Sequence, residues 1–499
     1  MNQPAQFLGH PRGLATLFFT EMWERFTYYG MRALLVLFLV GAVAHRGLGI
    51  DDKTAAAIYG LYTASVYLAA LPGGWIADRL IGAQRAVIFG GILITLGNMI
   101  LAVSATPTVF YLGLVVIVAG VGLLKPNVST IVADLYPEGG ARRDAGFTIF
   151  YIGINLGSAI GPLVTAQAKV MYGDRAGFAA AGIFMALGVI QFAWTRKHLG
   201  DSGLRPGIKP GAEAAAALRA AWKRLGIGIA VTATLIAAVA LEWIPVNAVG
   251  LSETTGYLIV AMSIAYFIYY FTLGGLNTEE KRRGVVLIVL FLGSALFWTG
   301  YEQGGSSLNL FAERYTDRII PYFGFTIPTE WFQSLNPVYI MVFAPMFAAL
   351  WVALGRRNLD PAAPAKFAIG VVLMGLGFLV MVAAARLVAG GAKVSPNWLV
   401  VTYLLHTFGE LCLSPVGLSY YTKLAPKRFV GQMMGIWFLS ISFGNLLAGR
   451  VAGEFDARNL AAMPAQYMRI VYFSVGLGLV LLALSKPVKS LMGDIDNKG

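Results

Sequence analysis

LATLFFTEMWERFTYYGMRALLVLFLV, residues 14–40, decides the fold class. It is long and apolar enough for a membrane helix, since about 20 such residues span a bilayer. Yet it carries Glu21, Glu24, Arg25 and Arg32. At about 100° per residue, Glu21, Glu24, Arg25, Tyr28 and Arg32 fall on one face roughly 100° wide, and Arg32 sits roughly 16 Å above Glu21 along the axis. Ionisable groups at membrane depth are costly and are kept for function. A stripe of that length cannot face lipid, so it lines a bundle interior or an aqueous cavity, and other helices must complete it. The plainer alternative is a static ion-pair network, but one pair would serve structure and four charges add little stability.

Those helices are present. Of 499 residues, 57% are hydrophobic and 13% charged, with a mean hydropathy of +0.69; a soluble chain has roughly 25% charged residues. About fourteen apolar segments can be counted, starting near Leu14, Thr54, Gln84, Pro107, Ala141, Ala176, Leu225, Ser252, Arg283, Trp331, Pro364, Pro396, Lys427 and Gln466. The 59 glycines suit helices that approach closely. The chain opens without a cleavable signal pattern. Its single cysteine, Cys412, lies in an apolar segment, so no intrachain disulfide forms. The expected fold is an all-α membrane protein.

The net charge of +13 sits mostly in short loops and reads as topology and lipid contact rather than nucleic-acid binding. With the N-terminus inside, the inner loops hold Arg79, Arg85, Arg142, Arg143, Arg196, Lys197, Arg205, Lys209, Lys223, Arg224, Lys281, Arg282, Arg283, Arg356, Arg357, Lys366, Lys423, Lys427 and Arg428. The outer loops hold few, such as Arg46, Lys53, Arg314, Arg318 and Lys393. The positive-inside rule then makes both termini cytoplasmic. The longest charged stretch, residues 198–224, separates six segments from the rest. The expected domains are a six-helix bundle over 1–198, a cytoplasmic linker with two extra helices over 199–280, and a second six-helix bundle with a cytoplasmic tail over 281–499. Residues 73–85, GGWIADRLIGAQR, form the expected loop between the second and third segments, and the loop over 355–366 is likewise basic and turn-rich. Such a layout is that of transporters built from repeated bundles.

Further polar residues lie inside apolar runs. Lys125 stands beside Pro126 and Asn127, where proline removes a backbone donor; snorkelling to the surface is the alternative. Glu302, one turn after Trp298, and Glu410 are isolated acids, each needing a cationic partner from another helix. Asn155 and Asn336 fit an interhelical hydrogen bond as well as a ligand contact. Trp298, Trp437, Tyr67 and Tyr151 fit pocket lining as well as packing. His406, one turn before Glu410, is expected to be a core histidine with a satisfied local hydrogen bond, with a proton relay as the alternative. No Cys/His metal spacing, GxxxxGK[ST] loop or GxSxG elbow occurs. No cofactor, no metal and no enzymatic activity are expected.

Residues 21–30, EMWERFTYYG, resemble the ExxERFxYYG motif of the proton-dependent oligopeptide transporters of the major facilitator superfamily. Residues 147–158, FTIFYIGINLGS, are similar to that family's second signature, and the 73–85 stretch to the superfamily's loop motif. The resemblance covers nearly the whole chain, including the two extra helices of bacterial members. It implies two six-helix bundles and a symporter, importing di- and tripeptides with protons by alternating access across the bacterial inner membrane; a monomer is expected. It also implies that Arg25, Arg32 and Lys125 receive the peptide carboxylate, and that Glu410, Asn155 and Asn336 receive the amino end. Tyr29, Tyr67, Tyr151, Trp298 and Trp437 would line side-chain pockets. Glu21 and Glu24, with Arg25 and Glu302, would couple protons. Arg32 with Glu302 and Lys125 with Glu410 would form gate salt bridges. Animal members use a histidine in the second helix; none stands in the second segment here, so coupling is expected to rest on glutamates.

The residues agree with that substrate class. A peptide is a zwitterion, and a cavity with cations at one end and an acid at the other satisfies both termini whatever the side chains are. Arginine's planar fork suits a carboxylate. When the peptide takes an arginine from its glutamate, the stranded carboxylate takes up a proton. The same fold carrying nitrate, an amino acid conjugate or a peptide-like drug stays open, although a simple anion carrier would not need Glu21, Glu24 and Glu410.

Overall fold

The computed structural model describes residues 6–493 apart from 46, 139, 205–211, 242, 246, 322 and 456–458. The loop cations Arg46, Arg205 and Lys209 lie outside the described residues. The helices are α1 (Gly13–Val40), α2 (Asp52–Ile76), α3 (Ala83–Val103), α4 (Pro107–Asp134), α5 (Gly140–Tyr172), α6 (Asp174–Thr195), α7 (Ala212–Ala240), α8 (Ala248–Leu273), α9 (Thr278–Tyr301), α10 (Ser307–Tyr315), α11 (Leu335–Arg356), α12 (Ala363–Ala389), α13 (Asn397–Leu424), α14 (Val430–Ala452), α15 (Met463–Ala483) and α16 (Ser485–Ser490). Thirteen described spans are long and apolar enough to cross a membrane. The 28-residue α1 is as long, and its four charges set it apart. Two short antiparallel hairpins, Gln6–Phe7 with His10–Pro11 and Ile319–Ile320 with Phe325–Thr326, are the strands among the described residues.

Most helices begin within a few residues of where the apolar runs place them. Helix α7 departs furthest: it starts at Ala212 rather than near Leu225. Its first turns, AEAAAALRAAWKRL, are alanine-rich, and alanine is the strongest helix former; apolarity alone does not register that. The expected loop over residues 73–85 is also nearly all helical. Helix α2 runs to Ile76 and a wide π-helical turn continues over Ala77–Ile81. In that turn Ala77 and Leu80 are buried while Asp78 and Arg79 are exposed. The charges that read as a loop are the solvated side of this turn. Gly82, at φ 81°, makes the actual corner. Gln84 then holds the segment after α6 by donating to the carbonyls of Gly200 and Ser202 at 3.2 and 2.9 Å.

The chain divides into two compact units. One comprises residues 1–34 and 65–247, the other 35–64 and 248–499. In the first, α3 packs on α4 and α6, and α5 on α6. Helix α1 approaches α5 at backbone distance: a Cβ at Gly157 or Gly161 would stand 2.1 or 2.3 Å from the carbonyls of Met22 and Phe26. Small residues are what allow such contact in lipid, where apolar burial does not drive helices together. Helix α7 touches this unit at the Ala77–Ile81 turn. In the second unit, α12 packs on α13 and α15, α9 on α14, α11 on α13, and α8 on α14. The helix over residues 278–315 is not continuous there. It breaks after Tyr301 into a 3-10 turn, Glu302–Gly305, and resumes as α10.

Candidate functional site

In the first unit the stripe on α1 is buried as its spacing requires. Glu24 is 0% exposed, and Glu21, Arg25 and Arg32 are 4–5% exposed. Arg25 is shared by two acids: its Nε lies 3.1 Å from Glu21 Oε1 and also pairs with Glu24 Oε2. Among the described residues Glu21 Oε2 and Glu24 Oε1 are buried without a hydrogen-bond partner. Two carboxylates on one guanidinium leave local negative charge in excess, and Lys125 lies within electrostatic reach of Glu21.

The cations rest on tyrosine rings. Arg25 Cζ is 5.3 Å from the Tyr28 ring centre. Arg32 Cζ is 4.9 Å from that of Tyr29 and 5.9 Å from that of Tyr28. Lys125 Nζ is 3.8 Å from that of Tyr67. A desolvated cation over an aromatic face gains about 2 kcal/mol. Such a cation can still accept an anion on its other side. Lys125 stands about 13 Å before the end of α4, and α4 runs unbroken through Pro126. Asn155 donates within its own helix, to the Tyr151 carbonyl at 2.9 Å, and Tyr151 is 43% exposed.

In the second unit Glu410 heads a polar chain. Asn336 Nδ2 donates to Glu410 Oε2 at 2.9 Å and to Thr407 Oγ1 at 3.0 Å, while Tyr301 Oη donates to Asn336 Oδ1 at 2.9 Å. Helices α13, α11 and α9 thus converge on one amide. The Trp298 ring stands edge-on to Tyr301 at 4.9 Å. The turn before Glu410 is fixed by close approach, since a Cβ at Gly409 would lie 2.6 Å from the Gly370 carbonyl of α12.

Glu302 sits apart from this chain, at the helix break. Tyr59 Oη donates to its Oε2 at 2.8 Å, and Ser306 Oγ to its carbonyl at 3.2 Å. Gly305 makes room for that tyrosine, as a Cβ there would stand 1.9 Å from Tyr59 Oη. Trp437 packs at 5.2 Å from Tyr421 and 6.4 Å from Phe367. His406 stands 4.9 Å from the Phe378 ring. Its Nε2 is buried with no hydrogen-bond partner among the described residues, while the ring also meets the Met374 backbone. The hydroxyls of Tyr59, Tyr301 and Thr407 escape sequence reading. The one usable signal was Thr407, three residues before Glu410 and so on its helix face.

Three comparisons bear on this arrangement. The sequence profile of the POT family matches residues 84–470. The chain is 42% identical to the peptide transporter YePEPT of Yersinia enterocolitica, over 98% of this chain and 96% of that one. It is 37% identical to a di-/tripeptide transporter of Lactococcus lactis subsp. cremoris, over 98% of each. Among solved structures it is similar to a peptide transporter POT in complex with sulfate, with a TM-score of 0.90 and 41% identity over 98% of this chain and 97% of that one. A POT family transporter in complex with a thioalcohol conjugated peptide superposes with a TM-score of 0.86 at 35% identity, over 97% and 98% of the two chains.

Proposed function

The chain belongs to the POT family, and on that premise we propose that it is a proton-coupled symporter importing di- and tripeptides by alternating access. It is a multi-pass membrane transporter, not an enzyme. The observation that carries the substrate reading is the sorting of charge. Arg25, Arg32 and Lys125 lie against tyrosines on α1, α2 and α4. Glu410 lies with Asn336 and Tyr301 on α13, α11 and α9. The cations receive the peptide carboxylate; Glu410, with Asn336 and Asn155, receives the ammonium. Tyr29, Tyr67, Tyr151, Trp298 and Trp437 meet the peptide's side chains.

Proton coupling is assigned to Glu21, Glu24, Arg25 and Glu302. A peptide carboxylate that draws Arg25 or Lys125 removes positive charge from the two acids, and a proton restores the balance. Arg32 with Glu302 and Lys125 with Glu410 act as gate pairs that open and reform around the transported peptide. The transporter works as a monomer in a bacterial inner membrane with both termini in the cytoplasm. The bundles over 1–198 and 281–499 carry the transport chemistry, and 199–280 is a scaffold. Accumulation of a labelled dipeptide in proteoliposomes tests the reading. Uptake should exceed equilibrium only when the outside is the more acidic, and dialanine should compete. Equal uptake with and without the gradient would contradict it.

A further inference from the structure

Away from the charged site, the starts of α2, α8 and α15 and the end of α14 line an open cavity of about 450 Å³. It belongs wholly to the second unit. Its charged lining is Lys53, Arg450 and Arg469 against Glu253 and Glu454. Arg469 Nη1 lies 3.7 Å from Glu454 Oε2, so those two offset each other. Among the described residues Lys53, Arg450 and Glu253 make no ion pair. Ser252, 7% exposed, lines the same cavity and makes no side-chain hydrogen bond among the described residues.

Four ends of membrane-spanning helices meet at this cavity. Three are helix starts, whose exposed N–H groups favour an anion. Beside the cavity α8 presents apolar side chains outward, with Leu251 47%, Leu258 57% and Tyr257 68% exposed. The cavity therefore combines two cations and an acid at headgroup level with an apolar flank. A simple anion would use the cations and be repelled by Glu253. A group carrying both a phosphate and an ammonium uses all three.

We propose that this cavity binds the headgroup of a membrane phospholipid bearing both a phosphate and a primary amine. Lys53 and Arg450 hold the phosphate by charge-assisted hydrogen bonds, and Glu253 accepts from the ammonium. A trimethylated amine has no N–H to give Glu253, so the site discriminates between the two. Helix α8, which carries none of the transport residues, supplies a wall of the site and is tied by the lipid to α2, α14 and α15. The proposal rests on the chain being membrane-embedded and not on what it transports.

The test is native mass spectrometry of the purified full chain with phosphatidylethanolamine, phosphatidylcholine and phosphatidylglycerol of matched acyl chains. Phosphatidylethanolamine should bind about tenfold more tightly than phosphatidylcholine. Lys53→Ala with Arg450→Ala should weaken it roughly ten- to hundredfold. Lys53→Arg should bind as wild type, which separates lost charge from lost fold. Glu253→Gln should bind the ethanolamine and choline lipids alike. Phosphatidylglycerol binding as tightly as phosphatidylethanolamine, or unchanged binding in the double variant, would overturn the proposal. Soluble glycerophosphoethanolamine at the same concentration should not displace the lipid; equal displacement would overturn a lipid as the occupant.

Discussion

Arg25 is the residue on which the most depends, because two buried carboxylates share it. Two buried carboxylates on one guanidinium leave negative charge that the pair itself does not offset. We expect Glu21→Gln or Glu24→Gln to abolish gradient-driven accumulation while leaving exchange of peptide between equal pools largely intact. The substitution keeps size and removes the titrating group. Accumulation at the wild-type level in both variants would remove these acids from the coupling step. In the second unit Tyr301 orients Asn336, which in turn donates to Glu410. Tyr301→Phe deletes one hydrogen bond of about 1 kcal/mol and should weaken dipeptide binding roughly fivefold. No change in affinity by calorimetry would mean that Asn336 is held by Thr407 and Glu410 alone.

At the scale of elements, the break at Glu302–Gly305 shapes the second unit most. Gly305→Ala would drive a methyl into the Tyr59 hydroxyl and displace the donor to Glu302. Overpacking of this kind costs about 1–3 kcal/mol, read as a lowered unfolding midpoint. Gly226→Ala in α7 meets nothing within 4 Å and should be neutral to stabilising by up to about 1 kcal/mol. Equal effects from the two substitutions would show that the close contact is not real. Gate pairing is testable by a cycle at Arg32 and Glu302. Removing one partner of a buried pair costs roughly 3–5 kcal/mol, so Arg32→Glu with Glu302→Arg should be more stable than either single change. A cycle without a coupling energy would argue that the two never pair.

The helices were legible because a bilayer demands long apolar runs, and the α1 stripe because four charges at helical spacing have no place in lipid. The start of α7 and the helical turn over Ala77–Ile81 were not, since both are polar on one side and look like loop by hydropathy alone. The break after Tyr301 was equally hidden: EQGG is compatible with helix or turn, and Tyr59, from a distant stretch of chain, settles it. Hydroxyl partners such as Tyr301 and Thr407 carry no periodic signal, because their role depends on which helix lies opposite.

For the whole molecule, the account stands on one claim: residues far apart in the chain hold opposite ends of one zwitterion. Lys125 of α4 lies on the Tyr67 ring of α2, and Glu410 of α13 accepts from the Asn336 amide of α11. The most direct measurement is binding by purified Lys125→Ala and Glu410→Ala of three ligands: a free dipeptide, its C-terminal amide and its N-acetylated form. Lys125→Ala should weaken the free dipeptide about ten- to hundredfold and the amide far less, because the amide has no carboxylate to lose. Glu410→Ala should do the converse, sparing the acetylated form. Equal losses across all three ligands in both variants, with a fall in thermal stability before any ligand is added, would contradict the claim and leave both residues as packing partners only.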